Sequence, residues 1–122
     1  MGFSIKKQLI SFRYAFAGIV HLLSTQHNAW IQSALAILVI AMGFFFKISP
    51  IEWCIVLLCI GTVLSLEAVN TSIEKLADTV HPGKHEGIRI AKDAAAGAVL
   101  IASFIALIIG LIIFAPRFLA LV

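Results

Sequence analysis

From Ala94 to Ala115 the chain reads AAAGAVLIASFIALIIGLIIFA, with no charged residue. As a helix this stretch rises about 33 Å, enough to cross the ~30 Å hydrocarbon core of a bilayer. A 122-residue chain has no soluble interior large enough to hide such an element together with the rest of its apolar side chains. The composition carries the same message: 61% of residues are hydrophobic, 12% are charged and the mean hydropathy is +1.08. Soluble domains average about 25% charged residues. Lipid is the solvent that reconciles these values, and the length admits one domain, residues 1–122.

Two more apolar stretches precede it. Ala29 to Phe46 is polar only at Gln32 and Ser33, and Ile51 to about Val69 carries Glu52 at its head and Glu67 near its end. The link Lys47-Ile48-Ser49-Pro50 is too short for anything but an antiparallel hairpin, with Pro50 suited to opening the second span. The second helix is expected to run past the membrane to about Val80, where Pro82-Gly83 turns the chain. Glu86 then suits the first turn of the last helix. Before the spans, Phe3, Leu9, Phe12, Phe16 and Val20 alternate with Lys6, Lys7, Gln8 and Arg13 in the manner of an interfacial helix. The expected fold is an all-α membrane protein: a surface helix over 3–27 and transmembrane helices over 29–47, 51–80 and 86–115.

Orientation follows from the basic residues. With the N-terminus inside, Lys6, Lys7, Arg13, Lys75, Lys84, Arg89 and Lys92 are cytoplasmic, and only Lys47 and Arg117 are external. The expected topology is N-in, C-out, in the bacterial inner membrane. Residues 1–28 do not read as a secretory signal, because basic residues and histidines interrupt any apolar core. Cys54 and Cys59 lack metal-site spacing and read as small buried hydrophobes. No basic stripe or set of stacking aromatics stands out, which argues against nucleic acid as a partner.

The chemistry concentrates in LEAVNTSIEKLAD, residues 66–78. Glu67, Asn70, Glu74 and Asp78 fall within an arc of about 80° on one helical face. Glu67 lies sixteen residues beyond Ile51, about 24 Å along the axis, just inside the cytoplasmic edge of the hydrocarbon. A carboxylate at that depth costs a few kcal/mol and is a functional candidate by default. Lys92 and Asp93 open the third span at the same level. Clustered carboxylates at a water interface suit Mg²⁺, which keeps water ligands and takes phosphate as a co-ligand. A lysine beside them suits a phosphate oxygen, and Glu67 is placed to take a proton from an alcohol. These groups match phosphoryl transfer to a hydroxyl at the membrane surface, without a Gly-rich phosphate loop. The plain alternative is a solvated helix end paired with Lys75, Arg89 and Lys92, which accounts least well for Glu67 and Asn70.

The run EAVNTSIEKLAD, followed by AKDAAAGAVLI, resembles the prokaryotic diacylglycerol kinase family, which includes bacterial undecaprenol kinases. The signature is E-x-x-N-[ST]-x-I-E-x-x-x-D with a downstream A-K-D-x-x-[AG], and the whole chain fits in length. The resemblance implies a homotrimer with sites between protomers at the cytoplasmic surface. It implies ATP and a membrane lipid alcohol as substrates, with Mg²⁺ as cofactor. Residue by residue, it implies Glu67 as general base, Asn70 as organiser of the site and Glu74 as metal ligand. Asp78, Lys92 and Asp93 would lie on the nucleotide side, with His85 and Glu86 at a further nucleotide position. Arg13 and Tyr14 are candidates for lining the same site, with an interfacial role as the alternative.

One departure stands out. The family places an acid where the surface helix meets the first span, and that acid joins the second-helix glutamate in holding metal. Here the junction reads Gln26-His27-Asn28-Ala29-Trp30, and no Asp or Glu precedes Glu52. Gln26 or Asn28 would have to serve, or His27, or a carboxylate of another protomer. The expected activity is phosphorylation of a lipid primary hydroxyl, nominally that of diacylglycerol, with undecaprenol as the alternative acceptor. A small transporter using Glu67 and a non-catalytic relative are the readings from other classes. Among other residues, His81 and His85 are separated by Pro82-Gly83, which breaks the helix a zinc pair needs. Trp30 and Trp53 read as interfacial anchors, and Gly97 with Ala94–Ala96 and Ala98 as a small face for close packing.

Overall fold

The computed structural model describes residues 2–122 and contains four helices: α1 (Ile5–Thr25), α2 (His27–Phe46), α3 (Pro50–Val80) and α4 (Glu86–Leu119). The last three are long and apolar enough to cross a membrane. α1 is shorter at both ends than the surface helix expected over 3–27, and α4 runs four residues past the expected 115. Pro116 does not end α4, because a proline in the last turn forfeits only one backbone bond. Ala120 still donates to the Pro116 carbonyl, and the Arg117 guanidinium takes the Ile113 carbonyl.

Each junction is built from local chemistry. A single extended residue, Gln26, separates α1 from α2, and the Trp30 indole N–H reaches back across it to the Leu23 carbonyl. After α2, Lys47 adopts the left-handed conformation (φ 53°, ψ 54°). This lets Ile48 donate to the Gly43 carbonyl and Lys47 to that of Phe44, the Schellman closure of a helix end. α3 opens on a reciprocal cap in which the Ser49 hydroxyl accepts from the Glu52 amide at 3.2 Å and Glu52 Oε1 accepts from the Ser49 amide at 3.0 Å. Pro50 sits in the first turn, where its missing N–H costs nothing.

α3 is the spine. α4 packs along it, α2 lies against it, and α1 touches both α2 and α3. α2 and α4 meet chiefly through Phe46, whose ring lies 6.2 Å from that of Phe114 and 4.8 Å from that of Phe118. The same end holds the core of Ile48, Val56, Ile113 and Phe114. From that core a cleft of about 630 Å³ runs along α3 between α2 and α4, lined by Phe114, Val56, Val39, Gly110, Val63 and Gln32.

The accessible surface is 9146 Å², against about 6,400 Å² for a compact soluble monomer of this mass. Much of the excess is apolar: Ile37, Leu58, Leu100, Phe104 and Ile112 are all more than half exposed. Hydrocarbon is the environment in which such faces carry no penalty. A Cβ built on Gly97 would meet nothing within 4 Å, so close packing inside the protomer does not require a glycine there. Trp53 does more than anchor at an interface, because its ring lies flush on Gly43 and 4.9 Å from the ring of Phe44.

Candidate active site

Among the described residues only two polar or charged side chains are fully buried, Glu67 and Asn70, at 2% and 7% exposure. Both lie on the face that helical phase assigned to them. Glu67 faces α2, where the Gln32 amide donates from Nε2 to its Oε2 at 3.2 Å. Three residues on, Asn70 Nδ2 donates to Glu74 Oε1 at 3.4 Å. Gln32 Oε1, Asn70 Oδ1 and Thr71 Oγ1 are buried without a hydrogen-bond partner. Native interiors rarely leave such atoms unmatched, and here they gather on and beside one polar face.

Farther along α3, Asp78 reaches α4. Lys92 Nζ donates to Asp78 Oδ1 at 2.8 Å, so the helix that opens at Glu86 is tied to the one that ends at Val80. On the outer side of α4, Arg89 is clamped between Glu86 at 2.5 Å and Asp93 at 3.0 Å. His85 is the N-cap of α4: its Nδ1 accepts from the amides of Gly87 and Ile88 at 3.1 and 3.4 Å. That role leaves Nε2 as the protonated ring nitrogen of a neutral His85. Glu86 takes the first-turn position expected of it, and its carboxylate accepts from Arg89.

Among the described residues, the candidates on α1 and at the α1–α2 junction make no hydrogen bond to this face. Arg13 and Tyr14 are exposed on α1, Asn28 is exposed in the first turn of α2, and Gln26 Nε2 is turned to Thr25 Oγ1 at 3.4 Å. One protomer thus brings Glu67, Asn70 and Glu74 into a line and couples Asp78 to Lys92, but does not join Gln26 or Asn28 to them by a hydrogen bond. No cluster of three His, Cys, Asp or Glu side chains forms among the described residues.

Sequence reasoning passed over Gln32 as a site residue. Its signal was present, a lone amide in an otherwise apolar span, but its partner could be read only once α2 and α3 were placed side by side. Arg89 was likewise read only as a possible counter-charge, whereas it organises Glu86 and Asp93 together.

A buried carboxylate held by a neutral donor lies beside an amide–carboxylate pair and a lysine-bearing helix start, groups chemically suited to phosphoryl transfer. Comparison with known proteins agrees, since residues 13–114 match the prokaryotic diacylglycerol kinase model. The chain belongs to that family. An undecaprenol kinase of Bacillus subtilis (strain 168) is 43% identical over 107 residues, covering 88% of this chain and 87% of that relative. A diacylglycerol kinase of Synechocystis sp. (strain ATCC 27184 / PCC 6803 / Kazusa) is 39% identical over 114 residues, covering 93% of this chain and 65% of that relative. The protein is a membrane-bound lipid kinase of this family, and the polar face on α3 is its candidate active site.

Proposed function

We propose that the enzyme transfers the γ-phosphoryl group of ATP to the primary hydroxyl of a long-chain lipid alcohol. The observation that carries this reading is the burial of Glu67 without a cation, on a helical face that runs outward through Asn70 and Glu74 to Asp78. A membrane alcohol can approach the buried end of that face and a soluble nucleotide the exposed end. Glu67 takes the hydroxyl proton as the alcohol oxygen bonds to the γ-phosphorus. The bond from that phosphorus to the bridging oxygen breaks, and ADP departs with the electron pair. Lys92, now on Asp78, and Asp93 order the phosphate side, with His85, Glu86, Arg13 and Tyr14 as further nucleotide contacts.

Mg²⁺ is the cofactor in this reading. The donors present are oxygens of the hard type it prefers, a Glu74 carboxylate and the unmatched Asn70 Oδ1, with phosphates and water to complete its shell. Gln26 and Asn28 would add amide oxygens from the α1–α2 junction. When bound, the ion supplies charge neutralisation on the ATP phosphates.

In the same reading the protein is a homotrimer of the bacterial inner membrane, N-in and C-out, with its sites on the cytoplasmic side. The distribution of basic residues supports this orientation: Lys47 and Arg117 sit at the Ser49–Glu52 end of the bundle and the other seven beyond its opposite end or along α1. Of the two acceptors, diacylglycerol was the nominal choice from the sequence. The nearly complete two-way overlap with an undecaprenol kinase now favours the polyprenol.

The test is phosphate transfer from radiolabelled ATP with Mg²⁺ in mixed micelles, with diacylglycerol and undecaprenol in parallel. Labelled lipid in either lane supports the kinase reading, and the ratio of kcat/KM values names the acceptor. Transfer to neither, with no nucleotide binding, overturns it.

A further inference from the structure

A buried carboxylate is normally matched with a cation, because an isolated negative charge in a low-dielectric setting is costly. Glu67 departs from this. Among the described residues its hydrogen-bond partner is the neutral amide of Gln32, thirty-five positions away on another helix. Gln32 pays for its place in an apolar span, since its Oε1 is buried and unmatched while Nε2 is committed to Glu67. A lysine or arginine at this point would neutralise the carboxylate and compete for it. A neutral donor instead fixes one oxygen and leaves the negative charge available on the other.

We propose that Gln32 is a positioning residue for Glu67: its Nε2 holds Oε2, so that Oε1 faces the acceptor alcohol and receives its proton. This rests on the kinase reading above, in which Glu67 is the base. Gln32 touches the base and not the reacting atoms, and it also lines the apolar cleft between α2 and α4, so it sits where the lipid side of the site meets the acidic face.

The proposal predicts a loss in the chemical step with little loss in binding. In the full-length protein in mixed micelles, Gln32→Met and Gln32→Leu, both close in volume and neither able to donate a hydrogen bond, lower kcat by about tenfold or more, as expected for one hydrogen bond to a charged group. KM for MgATP and for the lipid stays within about twofold in both, as expected when an interaction that acts in the transition state is removed. Infrared spectra of protein carrying ¹³C-labelled glutamate give a readout that does not depend on turnover. The Glu67 carboxylate bands, isolated by subtracting the spectrum of Glu67→Gln, shift in Gln32→Met because a hydrogen bond to Oε2 is gone. Unchanged kcat, a rise in both KM values matching the fall in kcat, or unmoved Glu67 bands would each overturn the assignment. Should the wild-type protein phosphorylate neither lipid and bind no nucleotide, the kinase reading fails, while the infrared comparison still decides whether Gln32 orients Glu67.

Discussion

Arg117 grips Glu52 with both arms of its guanidinium, Nη1 to Oε2 at 2.7 Å and Nη2 to Oε1 at 2.8 Å. The pair joins the last turn of α4 to the first turn of α3, at the end of the bundle away from the acidic face. Glu52 also completes the Ser49 cap, so one carboxylate serves a helix start and a tertiary clasp at once. If the clasp is a unit, Glu52→Gln, Arg117→Met and the double variant lower the unfolding temperature in detergent by similar amounts. Additive losses in that cycle would show two independent roles.

Gly43 is required by the ring beside it. A Cβ at this position would lie 2.7 Å from Trp53 Cη2 and 2.8 Å from Cζ2, well inside contact distance. Gly43→Ala should therefore destabilise the α2–α3 hairpin by about 1–3 kcal/mol, the usual cost of overpacking. Chemical unfolding in micelles measures it, and adding Trp53→Leu should recover part of the loss.

Lys47 holds a left-handed backbone conformation that a side chain makes costly. Lys47→Gly keeps the Schellman closure and removes that cost, raising stability by about 1 kcal/mol. Lys47→Val should move stability the other way in the same unfolding assay, since β-branching makes this region worse.

Glu67→Gln preserves the side-chain shape but cannot take a proton. Turnover with the preferred lipid should fall about 10²–10⁴-fold, the span typical of a lost general base, with helical content and oligomer size unchanged. Retained activity would remove Glu67 from that role.

Asn70 orients Glu74 through a 3.4 Å hydrogen bond. Asn70→Ala should raise the Mg²⁺ concentration needed for half-maximal activity by about 10–100-fold, as when the partner of a metal ligand is lost. Gln26→Glu restores an acid at the α1–α2 junction and should lower that concentration. An unchanged Mg²⁺ titration would place the missing ligand elsewhere.

Much of this molecule was legible without coordinates. The uncharged run of α4, the hairpin through Pro50 and the single face of Glu67, Asn70, Glu74 and Asp78 all follow from hydropathy and the 3.6-residue period, which are properties of consecutive residues. The helix ends were less legible, because the His85 side chain supplies the cap just ahead of Glu86 and α4 runs past Pro116, each decided by a few local hydrogen bonds. The sequence set Lys92 level with the acids of α3, but tertiary structure decided which residue meets which. Gln32 finds Glu67, Lys92 finds Asp78 and Arg117 finds Glu52 across 35, 14 and 65 residues of chain. The sequence by itself determined the helices and the acidic face. Their partners depend on the rotation and register of one helix against another, which side-chain packing sets and no local pattern encodes.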